Sequence, residues 1–171
     1  MLLKTIYPTQ SVVLPMQPQI NRHPKLLWLD TGIVNYVAGI RDELYDSSDI
    51  QDVYRGRIAE HIVGQELIGL DCNISSQQSF WHKDKSEAEV DYLFLYESKL
   101  IPIEVKSGVN AHLKSLQQFM ALASHDLAIR VWSKPFSVDD IVNPFSGKSF
   151  RLVNIPFYMV GMLPKVLSEV Y

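Results

Sequence analysis

Residues 89–108 read EVDYLFLYESKLIPIEVKSG. Side chains alternate faces along a β-strand. In LIPIEVKS (100–107) that rule puts Ile101, Ile103 and Val105 on one face and Glu104 and Lys106 on the other. In EVDYLFLY (89–96) it puts Val90, Tyr92 and Phe94 on one face and Asp91, Leu93 and Leu95 on the other. The short turn at ESK (97–99) makes the two strands antiparallel neighbours. A hairpin of this length can bring Asp91 beside Glu104, although the sequence leaves the register open.

Working toward the N-terminus, SSDIQDVYRGRIAEHIVGQELIGL (47–70) has the spacing of a long helix, with Ser and Asp suited to its start and Gly69 near its end. At 100° per residue Glu60 shares a face with Val53, Gly56, Val63, Gly64 and Leu67. An isolated charge on an apolar face is expensive, so Glu60 needs a partner, a metal or water. The two glycines let another backbone approach closely.

Glu60, Asp91, Glu104 and Lys106 converging on one cleft would have a use. Carboxylate oxygens suit hard divalent cations such as Mg²⁺, and lysine can orient water or neutralise developing charge beside them. The competing reading is an ordinary ion pair between Glu104 and Lys106 on a solvated strand face.

The remaining elements surround this centre. LLWL (26–29) reads as a short buried strand, and DTGIVNYVAGI (30–40) as a short helix. Asp30 or Thr31 can cap it, and Asp30 is read as a cap rather than as a metal ligand. SFWH (79–82) is a strand, the polar residues 83–88 a loop, and residues 110–124 a second major helix. LAIRVWS (127–133) is a strand, and a loop with Pro135, Pro144 and Gly147 leads to a last strand, SFRLVN (149–154). Pro156 opens a final helix toward Tyr171, kinked near Pro164. Residues 1–25, with prolines at 8, 15, 18 and 24, read as an extended arm or linker remnant, and residues 26–171 as one domain. The fold class expected is α/β, a mixed central sheet flanked by helices.

The chain has 171 residues, enough to bury a core without a disulfide or a structural metal. Its net charge of −3 excludes general basic attraction to nucleic acid, so DNA binding would need a local patch or metal ions. Cys72 is the only cysteine, in keeping with a reducing cytoplasm. No stretch is long and apolar enough for a membrane span, and the start lacks the pattern of a signal peptide.

In order and placement, Glu60, Asp91 and Glu104-Val105-Lys106 resemble the motif of the PD-(D/E)xK nuclease superfamily. That core is a helix, a three-stranded meander, a helix and a further strand. A closer resemblance covers nearly the whole chain. KLLWLDTGIVNYVAGI, DVYRGRIAEHIVGQEL, AEVDYLFL, KLIPIEVKSG and LKSLQQFM are similar to the uncharacterised C-terminal domain of prokaryotic AAA-type ATPases. The resemblance implies a restriction-endonuclease-like core, a metal (Mg²⁺ or Mn²⁺) held by Asp91, Glu104, the Val105 carbonyl and Glu60, and a catalytic Lys106. It also implies a DNA substrate and an ATPase module in the same longer chain, with residues 1–25 as the junction to it. Val90 stands where the superfamily often has proline. No G-x-x-x-x-G-K-[ST] loop is present, so no ATP site is assigned.

Gln118 is read as lining the cleft, an exposed helix face being the alternative. His82 and Lys83 read as a solvated hairpin end, and Arg55 or Arg57 as a partner for a carboxylate. His23, His61, His112 and His125 lack zinc-ligand spacing with Cys72. The aromatic residues, Trp28, Trp81 and Trp132 among them, read as core or buried interface rather than as base-stacking platforms. Two functions follow as expectations: DNA phosphodiester hydrolysis, or a non-catalytic partner-binding, oligomerising or regulatory module of the ATPase that keeps the nuclease fold.

Overall fold

A computed structural model of the chain describes residues 3–28, 30–37, 52–70, 78–84, 86–106 and 112–170. They form a mixed α/β structure with two mixed sheets and four α-helices among the described residues. The strands are β1 (Leu3–Thr9), β2 (Lys25–Trp28), β3 (Ser79–His82), β4 (Glu89–Val90), β5 (Tyr92–Tyr96), β6 (Lys99–Lys106), β7 (Leu127–Trp132), β8 (Ser137–Val142) and β9 (Ser149–Pro156). The helices are α1 (Thr31–Val37), α2 (Asp52–Leu70), α3 (Lys114–Leu122) and α4 (Leu163–Val170), with a 3₁₀ segment Phe157–Met162 leading into α4.

β6 runs through the larger sheet, whose order is β5-β6-β7-β9-β8. It pairs antiparallel with β5 and parallel with β7. Pro102 has no N–H to give, and the ladder to β7 begins one residue later, at Ile103. Both faces of the strand are covered. Ile101, Ile103 and Val105 join Ile129, Val131, Val153 and Ile155 in a cluster with Ala59, Val63 and Leu67 of α2 and Leu163, Val166 and Leu167 of α4. Leu100 joins Ala128 and Leu152 with Leu116, Phe119 and Met120 of α3. Near-continuous apolar runs in β6, β7 and β9 are the signature of strands buried on both sides.

The smaller sheet has the order β2-β1-β3-β4. β1 pairs antiparallel with β2 and parallel with β3, and Ile6 at its centre has no exposure. Part of the segment read as an arm is therefore a strand of the fold. The proline-rich stretch that follows turns back on β1: Thr9 Oγ1 donates to the Gln17 carbonyl at 2.8 Å and Gln19 N–H to the Pro8 carbonyl at 2.8 Å.

Three further differences have physical causes. The run 79–107 does not form one three-stranded meander. β3 and β4 pair in the smaller sheet and β5 and β6 in the larger, with Asp91 alone at the bend between them. That bend breaks the alternation, so Val90 packs with Leu93 and not with Tyr92. The loop after β7 contains an edge strand, β8, whose Asp139 and Asp140 hide its pattern. Asp30 caps α1 as expected, its Oδ1 accepting from the Gly32 N–H at 2.6 Å. The start of the long helix expected at 47–51, together with Arg55, Cys72, Ser107 and Gly108, lies outside what is described of backbone or side chain. No described helix is long and apolar enough to cross a membrane.

Candidate functional site

Asp91 lies where the chain leaves β4 and enters β5, and it is only 9% exposed. The β5–β6 register runs from Tyr96↔Lys99 to Tyr92↔Ile103, so the next step sets Asp91 opposite Glu104. Past that ladder's end the Asp91 carboxylate takes over the role of a strand partner: Oδ2 accepts the Val105 N–H at 2.8 Å. Glu104 is 4% exposed and Lys106 lies two residues along on the same face, its Nζ 2.7 Å from Glu104 Oε1. Glu104 Oε2 is buried with no hydrogen-bond partner.

Glu60 reaches the same centre from α2. It is not sunk in the helix's apolar face, as its side chain remains about a third exposed. Gly64, one turn on, admits side chains rather than a backbone: a Cβ there would meet Tyr92 Oη at 2.6 Å and Leu27 Cδ1 at 2.7 Å. Tyr92 O–H donates to the Glu60 carbonyl at 2.8 Å, tying α2 to the first residue of β5.

Two members of the cluster escaped sequence reasoning. Lys25, at the start of β2, places its Nζ 2.6 Å from Glu89 Oε1, 3.7 Å from Asp91 Oδ1 and 3.8 Å from Glu60 Oε2. The same ammonium lies 4.7 Å from the Phe80 ring centroid. Glu89 was legible by alternation, two residues before Asp91. Lys25 was not, because its position follows from the pairing of β2 with β1 and of β1 with β3.

Four carboxylates, Glu60, Glu89, Asp91 and Glu104, thus share Lys25 and Lys106. Burial pushes Glu104 up to about 7, the neighbouring Asp91 charge adds to this, and Lys106 offsets part of it. Burial and Asp91 likewise push Glu60 up to about 7 against the pull of Lys25. Asp91 is raised by burial, which outweighs Lys25 and the Val105 N–H. Burial works against the charge on Lys25 and Lys106, yet the surrounding carboxylates win and hold both above the ordinary lysine value. The centre sets four carboxyl groups against two lysines.

Among the described residues no three His, Cys, Asp or Glu side chains stand ready-grouped around a metal position. The donor chemistry nonetheless fits a hard divalent cation. Its donors are acid oxygens, and one buried carboxylate oxygen, Glu104 Oε2, has nothing to bond. A cleft of about 460 Å³ opens beside the cluster, lined by Lys25, Arg57, Glu60 and Tyr92 among others.

β7 extends the site sideways. Its register pairs Arg130 with Glu104 and Trp132 with Lys106, so these side chains share one sheet face. The Arg130 guanidinium lies 4.0 Å from the Trp132 ring centroid and Lys134 Nζ 5.3 Å from it. Trp132, read as core, instead carries two cations. Arg130 Nε also donates to Asn154 Oδ1 at 2.7 Å, and Asn154 Nδ2 to Asp139 Oδ2 at 2.6 Å.

The other candidates lie apart. Gln118 Oε1 accepts from Lys83 Nζ at 2.9 Å, and no hydrogen bond among the described residues joins it to Asp91, Glu104 or Lys106. His82 is paired with Glu89 across β3–β4, its Nδ1 buried and unpartnered. His61 is a structural strap, its Nε2 lying 3.1 Å from the Trp28 nitrogen and 2.8 Å from the Trp28 carbonyl oxygen. His125 contacts the Leu100 carbonyl at 2.9 Å, and burial lowers its pKa.

A protein-family model described as "Domain of unknown function (DUF4143)" matches residues 55–157, more than half of the chain and the whole stretch from Glu60 to Asn154. Comparisons with curated proteins and with solved structures gave no match.

Proposed function

The chain belongs to the DUF4143 family of domains of unknown function, and on the geometry of its site we propose that it is a Mg²⁺-dependent phosphodiesterase acting on DNA. The observation that carries this reading is the buried Asp91–Glu104 pair, with an unpartnered carboxylate oxygen and Lys106 2.7 Å from its partner oxygen. Asp91, Glu104 and the Val105 carbonyl would hold the cation, with Glu60 reaching it directly or through water. When bound, Mg²⁺ or Mn²⁺ polarises a phosphoryl oxygen and lowers the pKa of water. Lys106 favours the ionised form of Glu104 and holds it in place, and its ammonium can orient the attacking water and offset charge on the phosphate. Arg130 and Lys134, presented over Trp132, suit the neighbouring phosphates of the strand.

Purified protein with Mg²⁺ or Mn²⁺ should cut DNA. Asp91→Asn and Lys106→Ala should each lower the rate by about 100-fold or more while the fold stays intact. Folded protein that cuts no single-stranded, double-stranded or branched DNA would sink the proposal.

One observation favours a second reading. Lys25 already balances part of the acidic cluster, as a structural charge network in a non-catalytic module of an AAA-type ATPase would require. That reading expects no divalent-ion affinity by titration calorimetry and an unchanged cellular phenotype for Lys106→Ala.

A further inference from the structure

The structure assigns Lys25 a role of its own: its ammonium is the resident cation of the acidic site, and a divalent ion enters only as Lys25 withdraws. This rests on the reading of the site as one that binds a divalent cation. Lys25 Nζ has carboxylate oxygens of Glu89, Asp91 and Glu60 at 2.6, 3.7 and 3.8 Å, so it stands among oxygens that a metal would need. An ammonium and a divalent ion cannot share those oxygens, because like charges a few ångströms apart repel strongly at low dielectric. The centre still lacks a partner for one of its oxygens: Glu104 Oε2, on a side chain 5% exposed, is buried and unbonded.

The geometry also permits exchange. Lys25 is fixed at its backbone by the pairing with Ile6 of β1, but the ammonium ends a flexible four-carbon stem. Its side chain is 24% exposed and lines the open cleft beside Arg57, so the stem can swing outward without disturbing β2. The occupant that displaces it is a small hard cation, Mg²⁺ or Mn²⁺, because the oxygens around the Lys25 ammonium are those of carboxylates.

Mn²⁺ titration calorimetry on the wild type, Lys25→Met and Lys25→Arg tests this. Lys25→Met should bind Mn²⁺ at least tenfold tighter than the wild type, and Lys25→Arg no tighter than the wild type. Equal affinity in wild type and Lys25→Met, or no binding by either, overturns the proposal. Should Lys25→Met fail to fold, acetylation of wild-type Lys25, followed by mass spectrometry, decides. It should rise several-fold when Mn²⁺ is added, and an unchanged rate overturns the proposal. DNA cleavage separates the two claims. Tighter Mn²⁺ binding in Lys25→Met with no cleavage by any variant removes the phosphodiesterase and keeps Lys25. Cleavage by the wild type with unaltered Mn²⁺ affinity in Lys25→Met does the reverse.

Discussion

Glu104 holds a charge in a place that disfavours it. Its folded pKa is raised to about 7 by burial and by Asp91, above the ordinary glutamate value. The native state therefore binds its proton more readily than the unfolded chain does. The associated stability is fully present below the ordinary glutamate pKa and is lost as pH rises through about 7. Lys25 and Lys106 are raised as well, but their share is lost only above the ordinary lysine range. Glu60, raised to about 7 in the same way, loses its share over the same range. Metal-free protein should thus lose on the order of 2 kcal/mol or more between pH 5 and pH 8, read from urea unfolding, and Glu104→Gln should remove part of that slope. At this scale the sequence was informative. Period-two alternation put Glu104 and Lys106 on one face of β6, because a strand's faces need no tertiary knowledge, whereas Asp91 reaches them from a bend whose register the sequence leaves open. Lys25 stayed hidden because it comes to the site through two successive strand pairings, neither of which a single sequence specifies.

Gly64 and Gly69 of α2 have opposite meanings. Gly64 faces Tyr92 and Leu27 so closely that an alanine Cβ would overlap both, whereas Gly69 has nothing within 4 Å. Gly64→Ala should cost about 1–3 kcal/mol through overpacking. Gly69→Ala should gain about 0.5–1 kcal/mol through helix propensity. Paired thermal melts check both. The β5–β6 hairpin offers a third comparison. Its two turn residues, Glu97 and Ser98, have φ of 45° and 64°, a conformation that ordinary side chains disfavour. Replacing them together by Asn and Gly should stabilise the protein by about 1 kcal/mol in chemical unfolding, the lost Lys99–Glu97 pair at 3.9 Å being exposed and weak. Elements with strong periodicity or clear turn lengths were legible. β8 was not, because an edge strand needs only one buried side and its acidic centre reads as loop.

Across the whole molecule, what the sequence concealed was the division into two sheets. Strands 79–82, 89–96 and 100–107 were visible as strands, but nothing local says that the middle one changes sheets at Asp91. Residues 3–9 were masked by composition: prolines suggested an arm, while Ile6 goes to full burial between β2 and β3. Ile6→Ala should therefore cost about 2–5 kcal/mol in a chemical unfolding midpoint, as for any core position. A detachable arm would show almost no effect.

The passage from one sheet to the other in a single residue has a kinetic consequence. The Val105 amide proton is held by the carboxylate at that crossing, beyond the last rung between β5 and β6. It can exchange with solvent deuterium only when Asp91 lets go, which means that the seam between the sheets has opened or the fold has come apart. One proton in the chain is thus a clock for the assembly of the site, and its protection factor reports how often the two halves part.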